Sequence, residues 1–321
     1  MANEEVVLVT GGSGLVGDAV RYVLENSTEA CYQKKENEKW VFLSSKDCDL
    51  RDAQATKNLF EKYKPTYVIH LAAIVGGLFK NMKYKLDLYR DNMLINDNVL
   101  FYSKEYKVKK VISCLSTCIF PDKTTYPIDE TMVHNGPPHH SNFGYAYSKR
   151  MIDIQNKAYH EQYGCNFTSI VPCNIFGEND AYNLEDSHVI PGLIHKCYLA
   201  KKNNTPFIVS GTGKPLRQFI YSRDLGKLII WTLREYNEIE PIILAVTEEI
   251  TIKQVADAIV KYVGFEGEYK FDPSKADGQY KKTATNAKLM RLNPTFKFTD
   301  FDTAIKNSVE WFINHYDTCR K

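Results

Sequence analysis

No run in this chain is apolar for long enough to cross a bilayer as a helix. Nor is there a polybasic block: 41 Lys and Arg stand against 39 Asp and Glu, a formal net charge of +2. That removes the electrostatic case for nucleic acid or an anionic membrane and leaves room only for a local basic pocket that takes phosphates. Eight cysteines are present (Cys31, Cys48, Cys114, Cys118, Cys165, Cys173, Cys197 and Cys319), but no close CxxC pair is among them. In a chain this large, reduced thiols are expected rather than a disulfide framework. The opening MANEEVVLVTGG enters a strand with no basic and then apolar leader before it. A cytoplasmic location without membrane contact is therefore expected. The pair His139-His140 lacks a carboxylate–histidine arrangement and reads as a loop, so no metal is expected.

What is present is an alternation. Val6–Thr10, Trp40–Leu43, Tyr67–Ala72, Val111–Leu115 and Phe167–Val171 are short, continuously apolar runs. Such runs suit parallel strands covered on both faces. Between them, Leu15–Glu25, Asp52–Tyr63 and Leu86–Tyr102 carry apolar residues at helical spacing. The pattern predicts an α/β fold with a doubly wound parallel sheet of the Rossmann type. Beyond Pro172 the order is less regular: helices over Pro191–Lys201, Ile252–Val263 and Phe301–His315, and short strands at Phe207–Val209 and Gln218–Tyr221. No repeat or flexible linker intervenes. The expected division is a nucleotide-binding domain over 1–173 and a smaller substrate-binding lobe over 174–321, some of whose segments return to the first sheet.

Thr10-Gly11-Gly12-Ser13-Gly14-Leu15-Val16-Gly17 follows the first strand and opens the first helix. Glycines there permit a tight turn and close backbone approach, so a helix N-terminus can face a pyrophosphate. Gly11, Ser13, Gly14, Leu15, Val16 and Gly17 are accordingly the candidate cofactor cradle. An enzyme that prefers NAD usually places Asp or Glu at the end of the second strand to bond the ribose 2′-hydroxyl. Here Leu43 leads instead into Ser44, Ser45 and Lys46, two hydroxyls and a cation suited to a 2′-phosphate. NADP(H) is the expected cofactor, although Asp47 follows closely. Asp49 and Leu50 fall where related folds contact adenine, and Leu71, Ala72 and Ala73 where the backbone passes the cofactor.

Tyr-x-x-x-Lys puts phenol and ammonium on one helix face, where the cation favours tyrosinate and lowers the phenol pKa. The spacing occurs at Tyr106/Lys110, Tyr145/Lys149 and Tyr198/Lys202. Only Tyr145/Lys149 starts a helix just before the next strand and lies downstream of Ser116, at the carboxyl end of Val111–Leu115. Ligands in open α/β sheets bind at such ends. Ser116 and Tyr145 are therefore expected to share one carbonyl oxygen.

Together, TGGSGLVG, Ser116 and Tyr145/Lys149 resemble the extended short-chain dehydrogenases/reductases. Further stretches, running nearly end to end, are similar to the GDP-L-fucose synthase family of epimerase-reductases. They are LAAIVGG (71–77), DNMLIN (91–96), STCIFP (116–121), YAYSK (145–149), PCNIFGEND (172–180), SHVIPGLI (187–194), GTGKPLRQF (211–219) and DPSKADGQYKK (272–282).

The resemblance implies GDP-4-keto-6-deoxymannose as substrate, inversion at C3 and C5, and then NADPH-dependent reduction at C4. It assigns Cys118 as base and His188 as acid, with Val189 beside it. It also places Lys196, Arg217 and Lys282 as cations for the substrate's diphosphate and Asn174 as a substrate-side amide. Ser210 departs from the tryptophan some relatives carry before GTG. A homodimer through the helices near Leu86–Tyr102 and Ala146–Tyr159 is implied as well. Two other readings share parts of this pattern. One is an NAD-dependent nucleotide-sugar C4 epimerase, which has no need of Cys118 and His188. The other is a non-catalytic NADPH-binding sensor, which has no need of Tyr145.

Overall fold

In a computed structural model of the chain, residues 4–275, 277 and 281–321 are described. Part of the stretch 272–282, namely 276 and 278–280, lies outside the described residues. The alternation read from the sequence forms β1 (Glu5–Thr10), α1 (Leu15–Asn26), β2 (Glu38–Phe42), α2 (Ala53–Tyr63) and β3 (Tyr67–His70). These are followed by α3 (Leu78–Lys83), α4 (Lys85–Glu105), β4 (Lys110–Cys114), α5 (Phe143–Tyr163) and β5 (Phe167–Pro172). The rest of the chain forms β6 (Asn174–Phe176), α6 (Val189–Asn203), β7 (Phe207–Ser210), β8 (Leu216–Arg217), β9 (Phe219–Tyr221) and α7 (Ser222–Glu235). It ends with β10 (Ile242–Leu244), β11 (Ile250–Thr251), α8 (Ile252–Val263), β12 (Tyr269–Asp272), α9 (Ala287–Leu292) and α10 (Phe301–Asn314).

The main sheet is parallel, in the order β10-β5-β4-β3-β1-β2. β4 and β5 are buried along their whole length, as continuous apolar runs covered on both faces should be. Lys110 is a cation inside this sheet. It donates to the carbonyls of Thr232 and Leu233 at 2.6 and 3.1 Å, and to that of Tyr236. It thereby supplies positive charge to the C-terminus of α7, and burial pulls it down to about 8. The strand order reverses between β1 and β3, where doubly wound folds open a ligand crevice.

Two apolar cores interleave along the chain. The first takes the six-stranded sheet together with Leu225, Ile229, Leu289 and Phe296, so α7, β10 and α9 return to it. Gly226 lets α7 lie on α1, since a Cβ there would stand 2.9 Å from the Ala19 carbonyl oxygen. The second core gathers Phe176, Ile190, Phe207, Val255, Ile259, Val309 and Phe312. Ile252–Val263 is a helix as read, with a Thr251/Gln254 capping box and Gly264 in the left-handed region at its end.

The turn after β6 buries Asp180 to 4% exposure. Its Oδ1 accepts the Ala181 N–H at 2.7 Å, whereas Oδ2 has no partner among the described residues. Burial pushes the carboxyl up to about 7 from 3.8. Native protein thus holds a proton that unfolded protein has already lost. The resulting stabilisation is complete below pH ~4 and is lost as the pH rises toward 7. Asp180→Asn should therefore gain up to about 4 kcal/mol over wild type at pH 8 and little at pH 4. Denaturant titrations at the two pH values read this, and an identical difference at both would refute it.

Candidate active site

The glycine loop lies at the switch point. Gly11 has φ 68°, and a Cβ on it would stand 2.8 Å from the Ala72 backbone nitrogen. Gly12 packs as closely on Phe42 and Leu43, and Gly17 on Gly12. The loop Gly11–Gly17 is thus packed through backbone contacts against Leu71–Ala72 and against Phe42–Leu43, which leads into Ser44. Gly14 occupies the N-cap of α1, and no side chain caps that helix. A Cβ at Gly14 would meet only Gly11 O, at 3.2 Å. The first-turn N–H groups are left for an external acceptor such as a diphosphate, so the residues present fit a dinucleotide.

The Ser44 hydroxyl, read as a donor to the cofactor, is turned to Asp47 in the turn after β2. The Asp47 carboxylate accepts both the backbone N–H and the hydroxyl of Ser44 at 2.7 Å, which holds its pKa low. It fastens its own turn, while Ser45 and Lys46 stay exposed. Asp49 is paired with Arg51 at 2.8 Å, and the buried Leu50 offers its carbonyl to Asn98 at 2.9 Å.

The proton-transfer candidates converge past the end of β4. The Ser116 hydroxyl accepts the Cys118 N–H at 3.3 Å and caps a single 3-10 turn, Thr117–Ile119. That turn presents the buried Cys118. Arg150 locks it to α5 by donating to the carbonyls of Ile119 and Gly136, both at 2.8 Å. Gly144 allows α5 to begin against Lys85 of α4, where a Cβ would collide with the carbonyl. Tyr145 and Lys149 follow one turn apart, with the Lys149 ammonium 6.0 Å from the Tyr145 ring centroid.

One expectation needs correcting. Lys149 does not bring the phenol below its ordinary value. Its ammonium donates to the Cys114 carbonyl at 2.8 Å. Burial, together with Cys118 and Cys114, raises Tyr145 well above its ordinary value. Burial also pulls Lys149 down.

His188 occupies the N-cap of α6 without capping it. The segment before it is tied to the loop after β3, since Gly77 N–H donates to Asp186 O at 3.0 Å. His188 and Val189 are exposed to solvent, yet the surrounding protein desolvates the imidazole and lowers its pKa. Tyr145 and Lys282 share this combination of partial exposure and strong desolvation. It is the mark of groups lining a concave cleft.

Lys282 is lowered by burial, with Cys118 as its foremost favourable charge and Arg217 opposing it. Arg217 is likewise lowered by burial and feels Tyr126 and Asp277. Asn174 bonds Gln218 O at 2.9 Å. Tyr145, Lys149 and Lys282 therefore each fall within electrostatic reach of Cys118. Lys196 stands on the exposed face of α6, two turns beyond His188. A cavity of about 350 Å³ lined by Tyr32, Lys227, Trp231 and Phe296 contains none of the candidate residues.

Arg150, His70 and Asn96 escaped the sequence reading. An arginine next to a candidate lysine, and a histidine ending an apolar strand, carry no spacing signal of their own.

Residues 7–246 match the NAD dependent epimerase/dehydratase family. The chain is 60% identical over 322 residues to the GDP-L-fucose synthase of Dictyostelium discoideum, covering 99% of this chain and 98% of that one. It is 57% identical to a protein of Drosophila melanogaster named "Probable GDP-L-fucose synthase", covering 98% and 99%. Among solved structures it is similar to a GDP-L-fucose synthetase from Naegleria fowleri bound to NADP. There the TM-score is 0.94 at 53% identity, covering 100% of this chain and 96% of that one.

Proposed function

The chain belongs to the NAD dependent epimerase/dehydratase family, in its GDP-L-fucose synthase branch, and from that premise we propose that it makes GDP-L-fucose. It epimerises GDP-4-keto-6-deoxymannose at C3 and C5 and then reduces C4 with NADPH. The observation that carries this reading is Cys118 beside Tyr145, Lys149 and Lys282 at the carboxyl end of β4. A simple C4 epimerase has a use for the tyrosine and lysine but none for a thiol there.

The chemistry follows from the substrate. A C4 carbonyl acidifies the hydrogens on C3 and C5, so inversion needs a base on one face and a proton donor on the other. Cys118 takes the proton, and His188 returns one from the opposite wall. Ser116 and Tyr145 hold the C4 oxygen, and its growing negative charge is what Lys149 and Lys282 stabilise. Bound NADPH supplies the hydride for C4. Tyr145, kept protonated by burial, gives its proton to the oxygen. Arg217, Lys196 and Asn174 take the nucleotide diphosphate. The GDP-sugar lobe comprises mainly 174–221, 250–272 and 301–321, with 222–245 and 284–298 on the cofactor side.

Two further assignments belong to this proposal. Leu86, Leu94 and Phe101 on α4 and Ile154 on α5 are exposed apolar side chains, and we pair them across a homodimer. Sedimentation of the purified protein as a monomer would remove that assignment. Eight free thiols suit a cytoplasmic compartment. No helix of the described residues is long and apolar enough to cross a membrane.

NADPH oxidation followed with GDP-4-keto-6-deoxymannose, with NADH as comparator and the product sugar identified, tests the whole reading. Turnover to GDP-L-fucose that favours NADPH is expected. Tight NADPH binding with no turnover would retire it.

A further inference from the structure

A file of fully buried polar groups joins the cofactor loop to the catalytic helix. Thr10 ends β1 immediately before Gly11, and His70 is its register partner at the end of β3. Asn96 lies on α4, and Ser148 lies on α5 beside Lys149. All four are between 0% and 1% exposed.

The contacts are Ala72 N to Thr10 Oγ1 at 3.2 Å and Thr10 Oγ1 to His70 Nδ1 at 2.8 Å. They continue with His70 Nε2 to Asn96 Oδ1 at 3.1 Å and Asn96 Nδ2 to Ser148 O at 3.2 Å. The Ser148 hydroxyl then donates to Tyr145 O at 2.8 Å.

Proton positions along this file are determined by elimination. The Ser148 carbonyl can only accept, so Asn96 must turn its NH2 toward it and its oxygen toward His70. His70 must therefore carry its proton on Nε2, which leaves Nδ1 to accept. Thr10 supplies that hydroxyl proton, and its oxygen in turn accepts from Ala72 N–H. Every donor points the same way, from the loop after β3 toward α5, and no member is left over.

A second proton on His70 would put two donors on Nδ1 and Thr10 in opposition, next to Lys149. Burial and that cation hold the ring down to about 3, so it is neutral throughout the working range.

We propose that His70 is a positioning residue for the reductive step, holding α5 in register with the cofactor loop by this directed hydrogen-bond file. It touches neither substrate nor cofactor in this role. Its effect reaches Tyr145 and Lys149 through Asn96 and the Ser148 carbonyl. Cys118 is held by Ser116 from its own turn and only in part through Arg150 on α5, so epimerisation depends on the file less than reduction does. The inference rests on the epimerase-reductase reading above, and it predicts that the two halves of the reaction separate.

His70→Leu and Asn96→Leu should each lower kcat for NADPH oxidation by about 10- to 100-fold. The Kd and KM for NADPH should stay within about threefold, a split characteristic of lost positioning. The deuterium isotope effect from 4-deuterated NADPH should rise as hydride transfer becomes limiting. Wash-in of solvent deuterium at C3 and C5 should fall by much less than NADPH oxidation does, within about threefold of wild type.

If His70→Leu does not fold, Thr10→Val and Thr10→Ser decide. The valine removes the link and should reproduce the split, while the serine keeps the hydroxyl and should restore reduction. Parallel loss of exchange and reduction would overturn the proposal, as would undiminished reduction in folded His70→Leu or equal damage from Thr10→Ser and Thr10→Val. Absence of turnover in the wild type is a separate result, and it would count against the functional reading instead.

Discussion

Tyr145→Phe is expected to slow reduction by about two to four orders of magnitude while leaving NADPH affinity unchanged. The substitution removes one oxygen. It leaves the ring above Lys149, the Lys149 bond to the Cys114 carbonyl and the Gly144 contact with α4 in place. What disappears is the proton for the C4 oxygen. Single-turnover NADPH oxidation measures the loss, and fluorescence titration of NADPH checks that binding is spared. Because burial raises the phenol rather than depressing it, an acid at this position stays loaded through neutral pH. The pH profile of kcat/KM, which reports the free enzyme, should then show no alkaline fall near pH 7 on its account. A fall near 7 in wild type would mean that Lys149 lowers the phenol after all. Full activity in Tyr145→Phe would place the proton donor elsewhere.

Much of this site is visible in the sequence because backbone constraints write themselves as residue types. Gly11, Gly12 and Gly17 are each pressed against another backbone, so only glycine fits, and their spacing after an apolar strand gives the loop away. The strand ends that carry Ser116 and Leu71–Ala73 were likewise readable, because continuous burial makes β3 and β4 stand out from their surroundings.

The return of α7 and β10 to the first core was not readable in detail. Ile242–Leu244 is three residues long, too short to carry a period, and its place beside β5 is a matter of topology. Electrostatics was least legible of all. The i,i+4 spacing set Lys149 beside Tyr145 correctly, yet it could not disclose that the Cys114 carbonyl holds the ammonium or that burial would dominate the phenol. Asp47 looked like an obstacle to a 2′-phosphate, but its fold-back onto Ser44 depends on a turn that sequence does not specify.

Cys118→Ser is expected to separate the reaction at the opposite point from Tyr145→Phe. Serine keeps the shape of the buried site, and the backbone N–H at this position still donates to the Ser116 hydroxyl. A hydroxyl, however, is a far weaker acid than a thiol, whose reference pKa is about 8.5, and it cannot cycle a proton near neutrality. Solvent deuterium wash-in at C3 and C5 should fall by about two to three orders of magnitude. Tyr145 and Lys149 are untouched, so NADPH oxidation should persist with the uninverted keto-sugar, giving a reduced 6-deoxyhexose that retains the starting C3 and C5 configuration. Unchanged exchange and an unchanged product would mean that the base lies elsewhere. Cys118 would then be a small residue filling the 3-10 turn, and His188 would need a different partner across the cleft.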